Sequence, residues 1–130
     1  MSETRERAEL ADSWRELNQR HARIYLALDK ALQTEHGLSP TEFDVLERLA
    51  SQAEQAGDGC RMQTLSDHVN LSQSALSRLV GRLEKEGLVE RGICSDDRRG
   101  IYAGITDAGQ EKYLAARPTQ RGVLDQLLGD

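Results

Sequence analysis

The sequence is poor in the residues that build special chemistry. Its 130 residues hold one Trp, three Tyr, one Phe, two Pro and two Cys. Two cysteines, Cys60 and Cys94, cannot form a disulfide scaffold or a four-thiolate zinc cage, and they read as structural thiols in a reducing compartment. A redox sensor would need a thiolate of low pKa, and Arg61 beside Cys60 is the only hint of one. His21, His36 and His68 lack metal-ligand spacing, so no metal is expected. Ser66-Asp67-His68 contains the residue types of a hydrolytic triad, but consecutive positions cannot converge in triad geometry. With no Gly-rich phosphate loop either, neither catalysis nor a cofactor is expected. There is no apolar run of about 18 residues, which excludes a membrane-spanning helix. The charged start, Met1 to Arg7, is not followed by the apolar stretch of a secretory signal, so the expected location is the cytoplasm.

What remains suits a single domain, residues 1–130, with one modest core that oligomerisation would help. The net charge of −5 argues against indiscriminate binding to polyanions. Its distribution is uneven. From Cys60 to Gly100 there are seven Lys/Arg against six Asp/Glu, a balance of +1, which leaves 10 basic against 16 acidic residues, or −6, elsewhere. One less acidic face on an acidic body is what a surface meeting phosphate requires.

The first long segment, about residues 8–36, repeats apolar groups at Leu10, Trp14, Leu17, His21, Ile24, Leu28 and Ala31. Steps of four and three make an a/d seam over about three heptads. That seam fits a helix lying lengthwise on a second subunit, and equally an amphipathic helix against its own core. Gly37 ends it. Ser39 then reads as an N-cap, with Pro40 at the first helical position, Glu42 closing a capping box and Leu38 with Phe43 as a hydrophobic staple. This helix should fade near Ala56 before the loop Gly57-Asp58-Gly59.

Cys60-Arg61-Met62 could form one β-bridge, and a short helix is predicted from Thr64, with Asp67 at capping spacing, to about Val69. After the turn Asn70-Leu71, Ser72 caps a helix whose inner face is Leu76, Leu79, Val80 and Leu83 and which stops at Gly87. Two short helices joined so tightly form a helix-turn-helix. Leu88–Cys94 and Ile101–Ile105 read as a hairpin around the charged tip Ser95–Gly100. Thr106 caps a last helix carrying Tyr113, Leu114, Val123, Leu124, Leu127 and Leu128, which Pro118 should bend or interrupt. No internal repeat is present.

The order helix-turn-helix then β-ribbon is that of a winged helix. Five blocks occur in succession: Leu38–Leu46, Leu71–Glu84, Gly87–Arg91, Asp97–Gly100 and Ile105–Gly109. Together they resemble the MarR family of transcriptional regulators, over about residues 38–109. The resemblance implies a mainly α protein with a small β-hairpin. In it a winged-helix lobe (38–106) reads double-stranded DNA and the flanking helices (8–36 and 107–128) dimerise. It further implies a repressor that leaves a pseudo-palindromic operator when a small molecule binds.

Helix-turn-helix docking sets the front of the second helix, Ser72, Gln73, Ser74, Ser77 and Arg78, toward base edges. Gln73 can pair with adenine, Arg78 with guanine or a phosphate, and the serines can donate or accept. Arg98 and Arg99 on the wing suit a narrow minor groove; by resemblance Arg99 is the inserted side chain and Asp97 orients it. Arg61 is a candidate phosphate contact. The family's effector pocket lies between the lobes, where Trp14, His21 and Tyr25 are candidates, although core packing is the stronger reading of each. Relatives continue into a further C-terminal helix, whereas this sequence ends at Gly129-Asp130. The dimer is therefore expected to rest on the first helix and on Leu124, Leu127 and Leu128. The competing readings are a winged helix used for protein contact and a thiol switch through Cys60 or Cys94.

Overall fold

A computed structural model describes residues 2–56, 60–93 and 101–129. Along the chain run α1 (Ser2–His36), α2 (Pro40–Ala56), β1 (Cys60–Arg61), α3 (Met62–Val69), α4 (Gln73–Lys85), β2 (Val89–Ile93), β3 (Ile101–Ile105) and α5 (Asp107–Leu128). The architecture is mainly α, as the periodicities predict. Local chemistry sets most boundaries. The Glu42 amide donates to Ser39 Oγ at 3.0 Å and the Ser39 amide to Glu42 Oε1 at 2.9 Å, the reciprocal capping box that starts α2. Leu38 and Phe43 are fully buried beside it, consistent with the staple.

Three expectations need correction. First, the sheet has three strands in the order β1-β3-β2, all antiparallel, with Cys60 opposite Ala103 and Val89 opposite Ile105. The segment at 60–61 is thus a short strand on the outer edge of β3, which buries Cys60. Second, α3 begins at Met62 rather than Thr64. Arg61 at its N-cap is extended (φ −61°, ψ 138°) and makes no side-chain cap bond, so Thr64 and Asp67 form no capping pair. The helix starts directly where β1 releases the chain, and burial of Leu65 and Ser66 holds it. Third, α5 runs through Pro118 without interruption. The proline removes one amide donor, but packing of α5 along α1 and across α2 keeps the helix intact.

The core gathers Leu32 of α1, Phe43, Val45, Leu46 and Leu49 of α2, Leu65 of α3, the inner face of α4, Val89 and Ala103 of the sheet, and Tyr113 and Ala116 of α5. The first half of α1 contributes nothing to it. Leu10, Trp14 and Leu17 are 68%, 64% and 62% exposed, whereas Ile24 and Leu28 are half-buried and Leu32 is fully buried. The seam read from the sequence therefore enters the protomer's own core only at its C-terminal end.

Candidate nucleic-acid interface and effector cavity

Helix α4 is held from both ends and from behind. At its start the Ala75 amide donates to Ser72 Oγ at 3.2 Å. The turn before it places Asn70 in the left-handed region (φ 56°), and the Leu71 amide donates to the Ser66 carbonyl at 3.2 Å. At its end Gly87 has φ 78°, with its amide bonded to Glu84 O (3.0 Å) and that of Leu88 to Leu83 O (2.9 Å), a Schellman closure. Leu76, Leu79, Val80 and Leu83 are buried, and each contributes about 2 kcal/mol toward pressing the helix onto the core. The opposite face is left outward: Ser72, Gln73, Ser74, Ser77, Arg78 and Arg82 are all exposed. The side chains of Arg78 and Arg82 make no hydrogen bond or ion pair among the described residues, so their charge is directed to solvent. The helix N-terminus adds free amides and the positive end of its dipole.

Strand β2 supplies a residue that the sequence reading did not single out. Arg91 pairs with Glu84 at 3.2 Å and donates from Nη1 to Ser77 Oγ, also at 3.2 Å. Strand alternation carried the signal: Val89 is buried under α4, and Arg91, two residues on, shares its face. On the other edge of the sheet, Arg61 donates from Nε to the Tyr102 hydroxyl at 3.1 Å, with its guanidinium 5.8 Å from the centre of that ring. Arg61 is thus exposed but oriented. Asp97, Arg98 and Arg99 lie outside the described residues.

The sequence model of the MarR family matches residues 36–100. The chain belongs to the MarR family. Among its relatives is the HTH-type transcriptional regulator MhqR of Bacillus subtilis, 28% identical over 122 residues, covering 86% of this chain and 81% of MhqR. The transcriptional repressor MprA of Escherichia coli K12 is 31% identical over 91 residues, 70% of this chain and half of MprA. Among solved structures, the MarR-family regulator Sco3205 of Streptomyces coelicolor, in complex with DNA, superposes with a TM-score of 0.83 at 32% identity, covering 92% of this chain and 73% of Sco3205. This chain is accordingly a MarR-type transcriptional regulator with a winged-helix fold.

The effector candidates of this MarR protein separate. His21 and Tyr25 stack on α1 with ring centroids 6.1 Å apart and line a cavity of about 410 Å³ together with Leu28, Leu32, Phe43, Asp44, Val69 and Gln120. Trp14 does not line it. It sits about two turns before His21, on the exposed part of α1. Burial and the neighbouring Glu47 push the Asp44 carboxyl above its ordinary range. A second, polar cleft of about 610 Å³ lies between α2, α3 and α5. Across it Arg48 contacts the His68 ring, and Glu47 accepts from Tyr113 Oη at 3.1 Å and from Arg121 at 2.7 Å.

The thiol switch loses its support at Cys60, and Ser66, Asp67 and His68 form no triad. Cys60 is buried, its thiol pKa is raised by that burial, and the nearby cation that partly offsets this is Arg48 rather than Arg61. Such a thiol is the opposite of a reactive one. Cys94 lies outside the described residues. Ser66 donates to the Gln63 carbonyl at 3.0 Å inside α3, while Asp67 and His68 point outward, so the three residues share no site.

Proposed function

We propose that this protein represses transcription by binding a pseudo-palindromic operator as a homodimer, in the cytoplasm, and that a small molecule releases it. The observation that carries the reading is the two-faced α4: a fully packed apolar back behind an exposed polar front. Ser72, Gln73, Ser74, Ser77 and Arg78 would read base edges in the major groove, with Ser72 also serving its cap. Arg61 would contact phosphate, and Arg99, with Asp97 and Arg98, would engage the flanking minor groove. Residues 38–106 form the reading lobe. Residues 8–36 and 107–128 bring two lobes together, which the bare Leu10, Trp14 and Leu17 and the exposed Leu127 and Leu128 support. The effector would enter the cavity beside His21 and Tyr25, whose aromatic walls and single carboxyl suit a small amphipathic compound.

Selection of bound sites from a random duplex pool, followed by fluorescence-anisotropy titration at several salt concentrations, tests this directly. The expected product is an inverted repeat bound by two protomers, with affinity falling steeply as salt rises. Recovery of unrelated sequences with no salt dependence would favour a winged helix used for protein contact.

A further inference from the structure

We propose that Arg91 is a positioning residue that fixes Ser77 as a hydrogen-bond donor toward DNA, so that the base facing Ser77 is selected for an acceptor edge and against cytosine. The inference rests on α4 being the DNA-reading helix.

Ser77, Gly81 and Glu84 are spaced four and three apart and so line one edge of α4, exposed at Ser77 and Glu84, that runs beside β2. Arg91 lies along that face. Its Nε donates to Glu84 Oε1 at 3.2 Å, its Nη2 pairs with the same oxygen at 3.2 Å, and its backbone amide approaches Oε2 at 3.4 Å. Anchored there beside Glu84, the guanidinium also gives Nη1 to Ser77 Oγ, about two helical turns earlier, at 3.2 Å. Gly81 makes room for this: a Cβ at that position would stand 3.4 Å from Arg91 Nη2, so a longer side chain would lie where the guanidinium does.

The chemistry then has one direction. A guanidinium carries donors only, so Ser77 Oγ accepts in this contact. A helical serine commonly returns its proton to the carbonyl one turn earlier. Ser77 does not; its bond from Arg91 is the sole side-chain hydrogen bond it makes among the described residues. The hydroxyl proton is left to point outward, and the adjacent positive charge strengthens it as a donor while weakening the remaining lone pair. In the major groove guanine offers N7 and O6, adenine N7 and thymine O4 as acceptors, whereas cytosine offers only its N4 amino group. A serine free to rotate would accept from cytosine as readily as it donates to the others. Arg91 removes that freedom.

The test uses the full chain on its selected operator. Each of the four bases is placed at the position whose preference Ser77→Ala flattens, and the four Kd values are compared. The wild type should disfavour cytosine by roughly tenfold. Arg91→Ala should shrink that ratio to about twofold or less, with the dependence on salt unchanged, and should add nothing in a Ser77→Ala background. Gly81→Leu, which displaces the guanidinium but keeps its charge, should do the same and guards against an Arg91 variant that fails to fold. Cytosine as the preferred base overturns the proposal. So does an Arg91→Ala protein that loses affinity equally for all four bases with a shallower salt slope, the signature of a phosphate contact. A wild type with no sequence preference would remove the reading of α4 itself. A selective wild type whose preference survives Arg91→Ala leaves that reading intact and overturns this inference alone.

Discussion

Helix α4 and the first half of α1 carry similar apolar spacing and end in opposite environments. Leu76, Leu79, Val80 and Leu83 are buried against α3 and the sheet, while Leu10, Trp14 and Leu17 stand more than 60% exposed. Periodicity states that a helix has an apolar face; it does not state what covers it. The lobe around α4 supplies its own cover, assembled from five elements with matched caps. The start of α1 has none within the protomer. At about 2 kcal/mol for each large apolar side chain, those three residues offer roughly 5 kcal/mol, and a two-fold interface presents the patch twice. After the cost of association, such a patch would give the proposed dimer moderate strength rather than make it inseparable.

The sharpest way to break the self-sufficient lobe is at Gly109. A Cβ there would stand 2.1 Å from the Leu88 carbonyl oxygen and 2.7 Å from Ile105 Cγ1, where the start of α5 seats against the α4–β2 corner. Thr106 reinforces that seat by donating to the Gly87 carbonyl at 2.6 Å and accepting from the Gly109 amide at 3.1 Å. Gly109→Ala should lower unfolding stability by about 3 kcal/mol or more in urea titration. An unchanged midpoint would mean that α5 docks with far more play than these contacts allow.

Substitution in the bare half of α1 should do the reverse. Leu17→Ala is expected to leave the fold of the lobe intact by near-ultraviolet circular dichroism. Each subunit loses about 1 kcal/mol of contact, so the dimer dissociation constant should rise roughly 30-fold by sedimentation equilibrium. Should the constant stay fixed, the two lobes are joined elsewhere, and the exposed Leu127 and Leu128 become the next candidates.

The same contrast explains what could be read in advance. Ser39 with Glu42, Ser72 with the Ala75 amide, and Thr106 with the Gly109 amide are local bonds between residues three apart, and each was legible from residue types alone. The pairing of Cys60 with Ala103 joins segments far apart in the chain, and two residues carry no alternation to announce a strand. The start of α3 was misread for the same reason, since a strand rather than a cap residue launches it. At the candidate site, the polar front of α4 follows from the spacing of its apolar back, so the exposure of Ser72, Gln73, Ser74, Ser77 and Arg78 was legible. Arg91 was not, because its role depends on how a strand lies over a helix. Trp14 was placed by its nearness in sequence to His21, although more than a turn of helix separates what lines the cavity from the exposed stretch of α1.

Cys60 provides a finer probe of the lobe. Buried on β1 beside β3 with a raised pKa, it should react with iodoacetamide at pH 8 at least about tenfold more slowly than the unfolded chain, measured in a Cys94→Ser background. Cys60→Ser, which buries a hydroxyl in place of a thiol, should cost about 1 kcal/mol. Peroxide should leave DNA affinity unchanged through this residue; a fall in affinity that Cys60→Ser abolishes would restore the thiol switch.

The smallest effect belongs to Asp44, which lines the cavity at the border between the two regions. Burial first, and Glu47 second, raise its pKa above 3.8, so the folded chain holds this proton more tightly than the unfolded one. Below pH 3.8 both states are protonated and the residue is neutral in its effect. As pH rises past that value toward the higher native one, the unfolded chain ionises first and stability falls, reaching its full loss above the native pKa. Asp44→Asn should therefore raise the urea midpoint slightly at pH 7 and leave it unchanged near pH 3. Because the side chain remains partly open to water, the gain should be the least of those described. A loss at pH 7 would instead mean that the ionised carboxyl serves the fold, with a partner such as Arg48 across the α2 face drawn close enough to outweigh Glu47.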